Sequence, residues 1–285
     1  MKKTVLACCL AAASYGAQAE LTPMSEFELH SVTGQAGVDI ELDVAVNIGE
    51  IRYTDTAENG DGDGGSLVVE DIFIGGGVGR SKLLGQPGPN NTSRLDGLKF
   101  SVDLGSDGDL NIIGSPVSGT GGIGIVDFLV TTGAVALEGA TPDTRHVLVD
   151  SVSIYGGALS LQMLIDGPTN DIRFVTSVGI DDMDIDMSSG FGIVIEDMVV
   201  AGPNYSIFIE EGLNPSPESR VFGLDVRMDA DAVEDGVLFD LRTRLPNYNI
   251  FDIDIAKLSV GGDMMGSVFI DDLSLRGLSF VVSGH

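Results

Sequence analysis

Val38-Asp39-Ile40-Glu41-Leu42-Asp43-Val44-Ala45-Val46-Asn47-Ile48-Gly49 places an apolar residue at every second position. A period of two sends Val38, Ile40, Leu42, Val44, Val46 and Ile48 to one face of an extended chain, and Asp39, Glu41 and Asp43 to the other. At about 3.3 Å per residue the run predicts one strand roughly 35 Å long, beyond the usual strand length. Shorter alternations follow at Phe100-Val102-Leu104, Leu159-Leu161-Met163-Ile165, Phe222-Leu224-Val226-Met228 and Ile253-Ile255. Turn-forming clusters separate them, most clearly Pro87-Gly88-Pro89-Asn90-Asn91 and Gly212-Leu213-Asn214-Pro215-Ser216-Pro217. The reading is an all-β body over residues 37–285.

Inside that body a degenerate unit recurs. Val69-Glu70-Asp71-Ile72-Phe73-Ile74-Gly75-Gly76 is echoed by Ile195-Glu196-Asp197-Met198-Val199-Val200-Ala201-Gly202 and by Ile270-Asp271-Asp272-Leu273-Ser274-Leu275-Arg276-Gly277. Val149 to Gly156 fits the same template, and so does Ile255 to Gly262 without the acids. Residues 180–202 and 255–277 match at a constant offset, each holding two copies, beginning at Ile180 and Ile195 and at Ile255 and Ile270. The apolar positions are one, four and six, so the period of two slips once, at the acidic pair. One extra residue in a strand is a β-bulge, which returns both flanks to the same face. Stacked units of this kind predict an antiparallel sandwich or roll, with a β-solenoid as the alternative. An outer-membrane barrel also alternates, but it carries aromatic girdles, and this chain has no Trp and ends in Ser283-Gly284-His285.

Upstream of the strands the pattern changes. Ser25-Glu26-Phe27-Glu28 is a capping box, with Met24 and Leu29 placed for a hydrophobic staple and Gly34 placed to end the helix. One short helix is predicted over about residues 25–32, within a 20–36 segment. Before it, Lys2 and Lys3, the apolar stretch Thr4–Ala13 and the small-x-small site Ala17-Gln18-Ala19 read as a cleavable signal peptide over residues 1–19. Its apolar stretch is about ten residues, where a spanning helix needs roughly 20. No transmembrane segment is expected in the mature chain, and the compartment is the periplasm, the outer-membrane surface or the exterior. Cys8 and Cys9 raise lipid attachment as a rival, but cutting there leaves too little apolar chain to engage export. Cleavage after Ala19 removes both cysteines, so no disulfide or thiolate site is expected.

The formal net charge is −28, and loss of Lys2 and Lys3 makes the mature chain more acidic still. Such a chain repels phosphate backbones, which excludes DNA and RNA as partners and favours cationic ones. Its many Val, Ile and Leu residues separate it from disordered acidic proteins.

One candidate site stands out. Asn59-Gly60-Asp61-Gly62-Asp63-Gly64-Gly65-Ser66-Leu67-Val68-Val69-Glu70 has the spacing of an EF-hand-type calcium loop. Asn59, Asp61, Asp63, the Gly65 carbonyl and a bidentate Glu70 would supply oxygens to a hard cation. Asn at the first position, Ser66 at the apolar anchor and flanking strands depart from that pattern, and a plain Gly-Asp turn is the alternative. Asp107-Gly108-Asp109 with Asn111 is a weaker turn of the same type. Gly76-Gly77-Val78-Gly79-Arg80-Ser81 lacks the ligand Asp of a glycine-rich calcium repeat. His30, His146 and His285 are scattered, and no Gly-x-Ser-x-Gly elbow is present. No cofactor is required on this reading: the composition favours the plain turn, and calcium is the one metal that the spacing admits.

Met24 to Val38, closing in Val32-Thr33-Gly34-Gln35-Ala36-Gly37, resembles the opening of a family of exported proteins of Gram-negative bacteria. In that family an acidic helix ending in this motif follows the signal and precedes a β-rich body, and some members are described as pilus-system proteins. The resemblance covers about thirty residues and brings no catalytic residues. It implies a non-enzymatic structural or adhesive role in the envelope or at the surface, with envelope or appendage proteins as partners. A carrier of apolar ligands on one sheet face and a polysaccharide hydrolase are the alternatives.

Overall fold

The computed structural model describes residues 37–55, 64–77, 93–117, 126–139, 144–203, 205, 223–245 and 247–283. These residues form sixteen strands in one connected sheet, and every element named among them is a strand. Every ladder between named strands is antiparallel, which is the sandwich or roll and not the solenoid. The predicted helix at 25–32 lies outside the described residues.

The 35 Å strand predicted over Val38–Ile48 is instead two strands. β1 (Val38–Val44) pairs with β4 (Leu95–Leu104), whereas β2 (Val46–Thr54) pairs with β3 (Ser66–Gly75). The chain changes neighbours at Ala45, with a register shift between Leu42 and Val44. Alternation persists because both strands keep one apolar face, so the pattern carries no trace of the break. On the opposite face Asp39 accepts hydrogen bonds from Ser101 and Lys99, and Asp43 from Arg94.

Two long strands organise the rest. β9 (Ser151–Ile165) and β10 (Ile172–Met187) pair along nearly their whole length. Each changes its other neighbour midway. β9 pairs with β6 (Val126–Thr132) through residues 152–158 and with β5 (Leu110–Pro116) through 161–165. β10 pairs with β12 (Leu224–Val233) through 172–178 and with β11 (Ile193–Ala201) beyond Ile180. Two sheets therefore share β9 and β10. One continues from β10 through β12 to β13 (Gly236–Asp240) and β16 (Ser279–Val282), and from β9 through β5 and β4 to β1. The other runs from β10 through β11 to β14 (Ile250–Val260) and β15 (Asp263–Ser274). From β9 it runs through β6 to β3, which also pairs with β7 (Val135–Glu138), the neighbour of β8 (Arg145–Val149).

The apolar face of this second sheet is built in rows. One row runs Val46, Ile74, Val130, Ile154, Met183, Met198, Ile255 and Val268, each opposite the next across a ladder. Met198, Val200 and Leu224 form a buried cluster, with Ile180, Ile253 and Val226 packed against it. Leu224 and Val226 come from β12, so the two sheets share a core where β10 hands over its neighbour.

A buried side chain ties the chain ends of this region. Asn249, 1% exposed, accepts a hydrogen bond from the Arg227 amide at 2.8 Å. Its amide group donates to the carbonyls of Arg227 (2.8 Å) and Leu241 (2.7 Å). Its own backbone donates to Asp225 and accepts from Leu275, both at 2.8 Å. One residue thus satisfies polar groups of β12, of the segment after β13 and of the segment after β15.

Candidate functional site

The slip in the repeat is a bulge in the fold. Between Met183↔Met198 and Ile185↔Ile195 the pairing of β10 with β11 shifts, which sets Glu196 and Asp197 opposite the single residue Asp184. Asp271 and Asp272 of β15 likewise face Asp252 alone, and Asp181 and Asp182 of β10 face Val199. Ala256 and Lys257, in the copy without acids, bulge opposite Ser267. At the third template position Asp71, Asp197 and Asp272 have φ of 49°, 54° and 53°. Asp tolerates this left-handed conformation far better than a β-branched residue would. In β3 the same geometry has a different use, because β2 pairs through Asp71 without a shift and β3 there passes from β7 to β6.

Each of two bulges is capped from the neighbouring strand. The amide of Asp197 donates to Asp184 Oδ1, and that of Asp272 donates to Asp252 Oδ1, both at 2.9 Å. The extra residue of a bulge leaves its amide outside the ladder, and an Asp opposite supplies the acceptor. Beyond the cap the two bulges differ. Lys257 on β14 reaches Asp197 at 2.9 Å and Glu196 at 3.8 Å, and these carboxylates raise its pKa. Asp271 and Asp272 form no ion pair among the described residues.

Next to the β15 bulge lies a buried acidic group. Asp252 and Asp181 are 0% and 2% exposed, and the hydroxyl of buried Tyr205 bonds to Asp254. Burial first, then the charges of Asp254, Asp181 and Asp252, push the Tyr205 phenol up to about 12. A phenol raised in the folded state contributes stability that is complete below its ordinary value near 10 and lost as pH climbs through about 12. Tyr205→Phe should therefore flatten the alkaline fall in stability, measured by urea melts between pH 9 and 12. An unchanged alkaline slope would place the phenol elsewhere. Carboxylate oxygens of Asp252, Asp271 and Asp272 lie within 4.8 Å of one another, an all-oxygen set of the type a hard cation takes. One Asp252 oxygen is already engaged by the Asp272 amide.

Of the calcium-loop residues predicted from sequence, Asn59, Asp61 and Asp63 lie outside the described residues. Gly64 (φ 59°) and Gly65 lead directly into β3. Glu70 sits five residues along that extended strand, about 16 Å from Gly65 at the usual rise, with its carboxylate 2.9 Å from Arg145. Arg145 also binds Glu138, which in turn binds Arg52. The second acidic turn is occupied by its own hydrogen bonds: Asp109 Oδ1 accepts from the Gly167 amide, and Asp107 Oδ1 from the Asp109 amide. His146 is exposed on β8. Sequence reasoning missed the Asp184 and Asp252 caps, which look like any other outward acid of an alternating strand.

The second feature of this region is an open edge. Among the described residues β15 pairs with β14 alone and ends the strand order of its sheet. It exposes Met265 (65%), Phe269 (46%), Ile270 (38%) and Val268 (36%), so the apolar row ending at Val268 runs out into solvent. An exposed apolar edge strand is a template for pairing with another chain. No described helix is long and apolar enough to cross a membrane.

The fold defines an all-antiparallel β protein with two sheets sharing a pair of strands. Residues 1–106 match the model of a family of unknown function, DUF6160. No curated protein matches the chain, and no solved structure does.

Proposed function

We propose that this chain is a non-enzymatic structural or adhesive protein of the bacterial cell envelope or surface, exported by residues 1–19 and acting with a pilus-like system. The observation that carries this reading is the β15 edge, where an apolar row reaches solvent beside backbone groups that no described strand pairs. Monomers ordinarily blunt such edges with charge, bulges or covering loops. Here the bulge residues are acidic, but Val268, Phe269 and Ile270 beside them are exposed. Among the described residues the most buried carboxylates, Asp181 and Asp252, are closed to a polysaccharide, which favours a binding role over hydrolysis. The role needs no cofactor. Calcium at the 59–65 turn would stiffen the link between β2 and β3.

A photo-crosslinking residue at Phe269 in intact cells tests the proposal, with the same residue at exposed Phe191, in the β10–β11 turn, as control. A defined adduct with an envelope protein from position 269 alone is the expected result. Adducts with lipid, or none from either position, would favour a carrier of apolar ligands instead.

A further inference from the structure

We propose that the β15 edge binds an extended polypeptide segment that alternates aliphatic residues with polar ones and carries a Lys or Arg opposite Asp271. This rests on the structural reading above and adds the chemistry of the partner. The protein contains a worked instance of the docking. β11 and β15 hold matching template copies, Ile195-Glu196-Asp197-Met198 and Ile270-Asp271-Asp272-Leu273. Both bulge toward the strand that precedes them, and both are capped there by an Asp. The far side of β11 is covered by β14, in a ladder that runs unshifted from Ile193↔Val260 to Ala201↔Asp252. The far side of β15 is covered by no described strand.

What covers β11 says what suits β15. In the β11–β14 ladder Leu258 lies opposite Ile195, Lys257 opposite Glu196, Ile255 opposite Met198 and Ile253 opposite Val200. Carried to the matching copy, an antiparallel segment would set aliphatic residues opposite Ile270, Leu273 and Leu275. A cation would fall opposite Asp271, within reach of Asp272. Lys257 answers both acids of the β11 pair, whereas the β15 pair has no cation among the described residues. Strand addition of this kind draws affinity from main-chain hydrogen bonds and specificity from alternate side chains.

A second copy of this chain fits poorly. Antiparallel pairing of β15 with itself about its centre sets Asp271 opposite Gly266 and Asp272 opposite Met265, so neither acid meets a cation, in a chain of net charge −28. The gain from an opposite-charge pair across the ladder is then missing. The partner is therefore a segment of another envelope protein.

The probe is a labelled peptide of the β14 sequence, Ile250 to Val260, titrated into the full-length protein and followed by fluorescence anisotropy. The expected result is saturable binding that weakens at least tenfold when the peptide lysine is changed to Glu. Asp271→Lys in the protein should weaken the lysine peptide similarly and restore the Glu peptide. Asp272→Asn, which keeps a residue tolerant of positive φ, should show a smaller loss, and circular dichroism of each variant should match the parent. No binding, binding indifferent to the lysine, or a missing charge-swap rescue in a folded variant overturns the proposal. Concentration-dependent dimerisation abolished by Asp271→Lys overturns it in favour of a second copy. A crosslink from position 269 without peptide binding would refute this chemistry and leave the structural role standing. Peptide binding without any crosslink in cells would do the reverse.

Discussion

Asn249→Ala is expected to lower stability by about 4–5 kcal/mol in urea melts. Three polar groups, one buried and two half-buried, lose their partner: the carbonyl of Leu241, and the amide and carbonyl of Arg227. An unsatisfied buried group costs about 1–3 kcal/mol, less where water can enter. Asn249 also has φ of 57°, where a residue with an ordinary Cβ is strained by about 1 kcal/mol or more. Asn249→Gly separates the two effects, because glycine relieves the backbone and restores no hydrogen bond. The glycine variant should recover about 1 kcal/mol relative to alanine. A loss below about 1 kcal/mol in both variants would mean that the three segments hold together without this side chain. Since domains are stable by about 5–15 kcal/mol in total, the alanine variant should approach unfolding at physiological temperature.

Gly156→Ala should cost about 3 kcal/mol, near the upper end of the range for overpacking. Gly156 lies between Phe128 of β6 and Ile180 of β10, where β10 changes neighbours. A methyl there would run into the carbonyl oxygen of Gly179 and approach Phe128 Cζ to 2.8 Å. The carbonyl belongs to the ladder itself and cannot swing aside as a flexible side chain would. Gly261→Ala is the control. It lies in the two-residue turn between β14 and β15, has φ of 63° and has nothing within 4 Å of an added Cβ. Its cost is the backbone strain alone, about 1–2 kcal/mol. If the two variants melt together, Gly156 is not the close approach that joins the sheets.

The sequence carried the local rules of this fold further than its connections. The slip at Glu196-Asp197 and Asp271-Asp272 could be read as a bulge because face and period disagree there, and both bulges occur. The matching stretches 180–202 and 255–277 are hairpins, as strand units stacked side by side require. Their registers differ, since Ser188–Gly192 joins the first pair and Gly261–Gly262 the second. Turn length sets register and leaves no mark on the repeat itself. The break at Ala45 was illegible for a related reason: alternation records which face is apolar, not which strand lies alongside. Asn249 carries no local signal, because its three partners lie at Arg227 and Leu241, far along the chain. The open edge at β15 is likewise a property of strand order, which no single strand encodes.

A chain of alternating Ile and Asp has a hidden ambiguity. It can slide two residues along its neighbour and present the same face as before. Nothing in the side chains of Ile253-Asp254-Ile255 distinguishes one such position from the next. The capped bulges do. A two-residue slide of β15 would carry the Asp272 amide away from Asp252 and set a left-handed residue where the ladder needs an extended one. The acids that look like solubilising ornament on an outer face act as notches, and they index each strand to one position out of several that would otherwise serve equally well.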